Sequence, residues 1–224
     1  DSNLSLLKIL IGLYVFFNSN NGVNGNQLDN YVDANVKTAR KFSKKCRILM
    51  AESNNSKILQ SSFYEIDILE IGGHHKGKRG KDSENKQPTL LILSTLEDNN
   101  YPQYVKLHTL PNYKGEPIEE YLKEKCLFDP TIVINCDRDK AFFCLNKLAQ
   151  LENSVVDYTK ENHKLKWLNT FTGNIQSNIN HLYRLVKKRD LPLFLSEQEW
   201  RINHRYSGKR IMDKVKKYIS MSTP

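Results

Sequence analysis

The chain has 224 residues and a net charge of +9, enough length for one ordinary domain and a small appendage. A mean hydropathy of −0.60 suits a soluble globular fold, and the basic balance favours polyanionic partners, nucleic acid ahead of anionic membrane. Four scattered cysteines (Cys46, Cys126, Cys136 and Cys144) form no C-x-x-C pair, which argues against a zinc finger or a disulfide scaffold and suits a reducing compartment.

In chain order, "LSLLKILIGLYVFF" (4–17) reads as a buried helix. It is shorter than the ~20 apolar residues of a membrane span, and it lacks the flanks of a signal peptide. Asn and Gly over 18–26 stop it. A short helix over 27–32, a turn at "DAN" (33–35) and a long basic helix follow, the order of a helix-turn-helix. Along the long helix Val36, Ala39, Phe42, Cys46, Leu49 and Met50 share one face. Lys37, Arg40, Lys41, Lys44, Lys45 and Arg47 occupy much of the rest, with no acid between 36 and 47. Lys37, Arg40, Lys41 and Lys44 are the candidate DNA contacts; a solvated basic face is the plainer alternative.

A boundary falls at "NNSK" (54–57). Strands are expected over 63–71, 89–97 and 104–110, with a polar loop over 72–88 whose His74 and His75 belong to a basic loop rather than to a metal site. A helix over 117–125, a strand over 131–137, a helix over 140–151, a strand over 154–158 and helices over 174–189 and 194–205 complete the order. Three strands followed by alternating helices and strands suggest hairpins and then βαβ crossovers. That is an α/β fold of RNase H-like type, a mixed sheet flanked by helices. The expected divisions are a helical, helix-turn-helix-like segment (1–53), the sheet domain (54–206) and a basic tail (207–224).

Asp67 lies inside the first strand of the sheet, where a carboxylate is costly unless its charge is met. Asp137 closes the fourth strand, and ligand sites of α/β sheets gather at such carboxyl ends. If these strands are neighbours the two carboxylates converge, and like charges that close favour a cation between them. Oxygen donors suit Mg²⁺ or Mn²⁺, and two such ions ~4 Å apart can activate water and stabilise a leaving oxygen in phosphoryl transfer. The alternatives are a lysine partner or a solvent-facing position for Asp67, and a helix-capping role near Lys140 for Asp137.

"EIDILEIGG" (65–73) resembles the E-[VI]-D-E-x-x-[IF]-G-G segment of Merlin-type DNA transposases and their bacterial insertion-sequence relatives of ISXO type. "TIVINCDRDKAFFCL" (131–145) resembles the T-x-[VI]-x-[ST]-D-x-W-x-A-Y-x-x-L segment of that family, and "TGNIQSNINHLYRLVKK" (172–188) its T-G-x-x-T-x-x-I-E-x-x-W-x-x-[LV]-K segment. "YTKENH" (158–163) lies where the family has a Y-x-H-x-x-V-N-H-type stretch, and "FLSEQEWR" (194–201) resembles the closing [YF]-L-x-E-[FY]-x-[WF]-R. Residues 4–50 resemble the helix-turn-helix that precedes the catalytic domain. The five segments stand in order and at suitable spacing over nearly the whole chain.

The resemblance implies cut-and-paste DNA transposition by an RNase H-like domain with a metal-binding triad. Asp67 and Asp137 match its first two members. The third, usually Glu, falls on Asn180, whose carbonyl oxygen can still ligate a hard cation; the adjacent His181 is the alternative. Lys187, seven residues on and two turns along the same helical face, matches a family lysine that would contact a DNA phosphate. Two Mg²⁺ or Mn²⁺ ions are implied, with transposon terminal inverted repeats and target DNA as partners, no membrane, and a homodimer or higher oligomer on DNA. The setting would be a eukaryotic nucleus, or the nucleoid and cytoplasm of a bacterium. Two departures, Ile68 in place of an acid and Asp139 in place of an aromatic, keep a second reading open. It is a decayed or domesticated DNA-binding protein without catalysis. A third reading, an RNase H-fold junction nuclease, would cut branched DNA without strand transfer.

Overall fold

The computed structural model describes residues 4–72, 86–96, 101–137, 139–153, 165–183 and 186–205. The chain divides into two compact units: Asn55–Leu195, and a helical unit that combines the chain up to Asn54 with the chain from Ser196 on. The expected loop histidines His74 and His75, the expected strand over 154–158, the "YTKENH" stretch and the basic tail lie outside the described residues.

The helical unit begins with α1 (Leu6–Asn18), α2 (Gly25–Val32) and α3 (Val36–Asn55). Asn24 and Gln27 form a reciprocal capping box at the start of α2, satisfying donors that the first turn would otherwise leave open. Asp33 ends α2 in the left-handed conformation at φ 43°, and Asn35 Oδ1 accepts from the Thr38 amide at 2.8 Å to start α3. Phe16, Phe17, Leu28, Val32, Ala39 and Met50 make the core with Trp200. The expected buried α1 is buried on one side only. Leu6 and Leu7 are 73% and 67% exposed, and Leu10, Ile11 and Tyr14 are exposed with them. Among the described residues no helix is long and apolar enough to cross a membrane.

Glu197 locks this unit. It is fully buried, and its two oxygens take Arg47 Nε at 2.6 Å and Arg201 Nε and Nη2 at 2.9 and 2.6 Å. Arg201 donates further to the Phe16 carbonyl at 2.8 Å and to that of Ser19. The residues of "FLSEQEWR" from Ser196 on therefore hold the helical unit, and α6 (Leu191–Asn203) begins in one unit and ends in the other.

In the α/β unit, β1 (Phe63–Gly72), β2 (Lys86–Thr95) and β3 (Pro102–Thr109) pair antiparallel. β4 (Val133–Cys136) and β5 (Gln150–Asn153) join in parallel, giving the order β3-β2-β1-β4-β5. Three antiparallel strands followed by two parallel ones are the RNase H-like arrangement expected from the sequence. α4 (Gly115–Lys125) and a 3-10 helix (Lys140–Lys147) cover one face, packing Ile118, Leu122, Phe142 and Leu145 on Tyr64, Ile66, Leu90 and Ile92. Strand alternation turns Glu65 and Asp67 to the opposite face, where α5 (Lys166–Ser177) packs on β1 and β2.

Two expected helices are corrected. The helix placed at 140–151 is a tight 3-10 run that closes with the Leu148 amide on the Leu145 carbonyl at 2.8 Å. It stops early because Gln150 is drawn into the sheet, its amide on the Ile132 carbonyl at 2.8 Å. The fifth strand is thus Gln150–Asn153. The helix placed at 174–189 starts instead at Lys166, widens to a π-helical stretch over Asn178–Tyr183, and has ended before Lys187. Lys187 is extended at φ −70° and ψ 146° and leads into a short 3-10 turn, Lys188–Asp190. It therefore does not share a helical face with Asn180.

Candidate active site

Parallel pairing of β1 with β4 sets Glu65 opposite Asn135 and Ile66 opposite Cys136. Asp67 follows Ile66 in β1, and Asp137 follows Cys136, the last residue of β4, so each acid lies one residue past the last paired positions. Alternation along β1 puts Asp67 on the α5 face of the sheet. Asp137 is exposed and Asp67 half-buried. Asp67 Oδ1 accepts from the Ile68 amide at 2.7 Å, and Asp137 Oδ1 from the Asp139 amide at 3.0 Å. The helix cap near Lys140 falls to Asp139, which accepts from the Ala141 amide at 3.0 Å, so that alternative for Asp137 is removed.

Cys136 points to the other face of the sheet. Burial first, then the charges of Asp137, Asp139 and Asp67, push its thiol up to about 12. It stays protonated at neutral pH, and the strand presents oxygen rather than sulfur to a ligand.

A carboxylate on β1 and another directly after its parallel neighbour β4 are oxygen donors of the kind a small hard cation takes. Mg²⁺ is commonly held by one or two carboxylates and completes its shell from water and substrate phosphates. Among the described residues no three Asp, Glu, His or Cys side chains gather to make a fuller metal cage.

Asn180 and His181 are exposed on the π-helical stretch that continues α5. The amino end of α5 is fixed to β1. There Glu65, 1% exposed, accepts from the Leu168 amide at 3.0 Å. α5 enters through Leu165 at φ 73° and has no side-chain cap of its own, so this carboxylate from β1 satisfies an open donor of its first turn. Glu65 escaped sequence reasoning, although its place two residues before Asp67 puts both on one face of the strand.

In the helical unit Lys37, Arg40, Lys41 and Lys44 are all exposed along α3, a continuous basic surface. Arg47 is withdrawn from it to bind Glu197. Lys187 is exposed in the α/β unit.

The model of the ISXO2-like transposase domain family matches residues 63–203. No curated protein matches the chain. Among solved structures, the chain is similar to Mos1 transposase in a paired-end complex with the left transposon end, at 10% identity and a TM-score of 0.33, covering 92% of this chain and 77% of that one. It is also similar to a pre-cleavage Mos1 transpososome, at 9% identity and a TM-score of 0.31, with the same coverage of each chain.

Proposed function

The chain belongs to the ISXO2-like transposase domain family, and from that premise we propose that it cuts and joins DNA at the inverted repeats of a transposon. The observation that supports the reading is the parallel pairing of β1 with β4, which ends one residue short of Asp67 and Asp137. These two carboxylates, with Asn180 as a neutral oxygen donor, would hold Mg²⁺ or Mn²⁺. Bound there, the cations would supply the Lewis acidity that phosphodiester hydrolysis and transfer need. The acids themselves would supply the negative charge that draws the cations, from the central strand β1 and from the end of its neighbour β4. The α3 face of Lys37, Arg40, Lys41 and Lys44 would neutralise backbone phosphates, and Lys187 would add a contact near the catalytic unit.

The test is cleavage of DNA carrying the inverted repeats that flank the coding region, across a Mg²⁺ and Mn²⁺ titration. The wild-type chain is expected to cut only with the metal. Asp137→Asn, which removes one carboxylate from an exposed position, is expected to abolish cutting while DNA binding persists. Cutting that survives Asp137→Asn would refute the site. Wild-type protein that binds these ends and never cuts would support the second reading, a DNA-binding derivative of a transposase. Asn180 standing where the resemblance places Glu is the observation that keeps that reading in view.

A further inference from the structure

We infer that Glu65 is a positioning residue: a latch that fixes α5 to β1 and so sets Asn180 relative to the acid pair. This rests on the reading of Asp67, Asp137 and Asn180 as one metal site. Three features carry it. Glu65 shares a face of β1 with Asp67, two residues away, so whatever it grips is tied to the strand that bears the first acid. It is 1% exposed, and its oxygen meets the Leu168 amide at 3.0 Å, in the first turn of a helix with no cap of its own. Its register partner across the sheet is the neutral Asn135, so no like charge opposes the carboxylate from β4.

The latch sits at one end of a lever. Asn180 lies twelve residues beyond Leu168, about 18 Å along a helix axis. A tilt of about 5° about the latch would move Asn180 by about 1.6 Å, more than a metal or catalytic constellation tolerates. The π-helical stretch Asn178–Tyr183 adds a wide turn between the latch and the ligand, so the pinned amino end is the firm reference of the run. A buried carboxylate retained in the middle of a strand is costly; holding a helix in place accounts for it without any contact to substrate.

The experiment is a double-mutant cycle read by Mn²⁺ binding, by calorimetry on the full chain, with metal-free thermal unfolding alongside. Asp67→Asn should abolish binding; wild-type binding indifferent to that change would sink the metal site and leave the latch without a purpose. Given the site, Asn180→Ala should weaken Mn²⁺ by about tenfold in the wild-type background. Glu65→Ala should weaken it by a similar factor, in the range seen when outer-shell supports of metal ligands are removed. Asn180→Ala added to Glu65→Ala should then cost little more, because the ligand is already misplaced. Glu65→Gln keeps an oxygen for the Leu168 amide and should restore binding to within about threefold of wild type. If Glu65→Ala does not fold, Glu65→Asp, which draws the carboxylate back by one methylene, carries the same comparison. Equal losses from Asn180→Ala in both backgrounds, or a Gln variant as defective as Ala, would overturn the latch while the acid pair stands.

Discussion

The two units treat buried charge in opposite ways. In the helical unit Glu197 is sealed between Arg47 and Arg201, and those guanidiniums lie over the Phe16 ring at 5.6 and 5.1 Å. Both Glu197 oxygens are taken by guanidinium donors, so the arrangement is closed. In the α/β unit Asp67 and Asp137 lie just past the paired run of β1 and β4, the first half-buried and the second exposed. Backbone amides meet one oxygen of each acid, and neither hydrogen bond comes from a cationic side chain. Closed charge marks the framework of this molecule, and open charge marks the place where a ligand is taken.

The largest effect should come from opening the closed arrangement. Glu197→Ala strands two guanidiniums in the core of the helical unit, and breaking a buried ion pair from one side costs roughly 3–5 kcal/mol. Urea denaturation of wild type and variant should show that loss as a lower midpoint with a similar slope. A loss below about 1 kcal/mol, the range of exposed ion pairs, would show that water reaches Glu197 and that the closure is not real.

Next in size is a change to the exposed basic face. Replacing Lys37, Arg40, Lys41 and Lys44 together by Ala removes four cations from one surface of α3 without touching Glu197. Each lost phosphate contact should flatten the log–log dependence of DNA affinity on salt by about 0.9. Stability should move little, since these side chains are exposed. An unchanged salt slope would mean that this face does not meet the DNA backbone.

The difference between closed and open charge also explains what could be read in the sequence. The strands of the sheet are legible because alternation and strand ends are local patterns. "FYEIDILEI" alternates, and Asp137 follows a short apolar run. The bounds of α5 were not, because its amino end is capped from another element. Leu165 makes no side-chain cap hydrogen bond, and Glu65 meets Leu168 from more than a hundred residues away in the chain. The 3-10 run after Asp139 was hidden for a similar reason: its length is set by the pairing of Gln150 with β4, which composition does not record. Arg47 looked like one more cation of a basic helix. Only the partner at Glu197, 150 residues on, separates it from Lys44 and Lys45.

The smallest predicted effect falls on the open site and sharpens its contrast with the closed one. Asn180→Glu places a third carboxylate where the family resemblance expects one. In the absence of metal the exposed side chain should change stability by less than about 0.5 kcal/mol, with any change unfavourable because Asp67 and Asp137 are already negative. With metal the sign reverses. A carboxylate in place of an amide should tighten Mn²⁺ by about tenfold, ~1.4 kcal/mol, and the melting temperature should rise with Mn²⁺ concentration more steeply than for wild type. Titration calorimetry and thermal melts on the same samples separate the two terms. The same substitution made with Asp137→Asn should give no such gain, because the cation then lacks the pair that anchors it. Mn²⁺ affinity unmoved by Asn180→Glu would mean that the far end of the α5 run does not reach the acids, and that the open site consists of Asp67, Asp137 and the DNA phosphate alone.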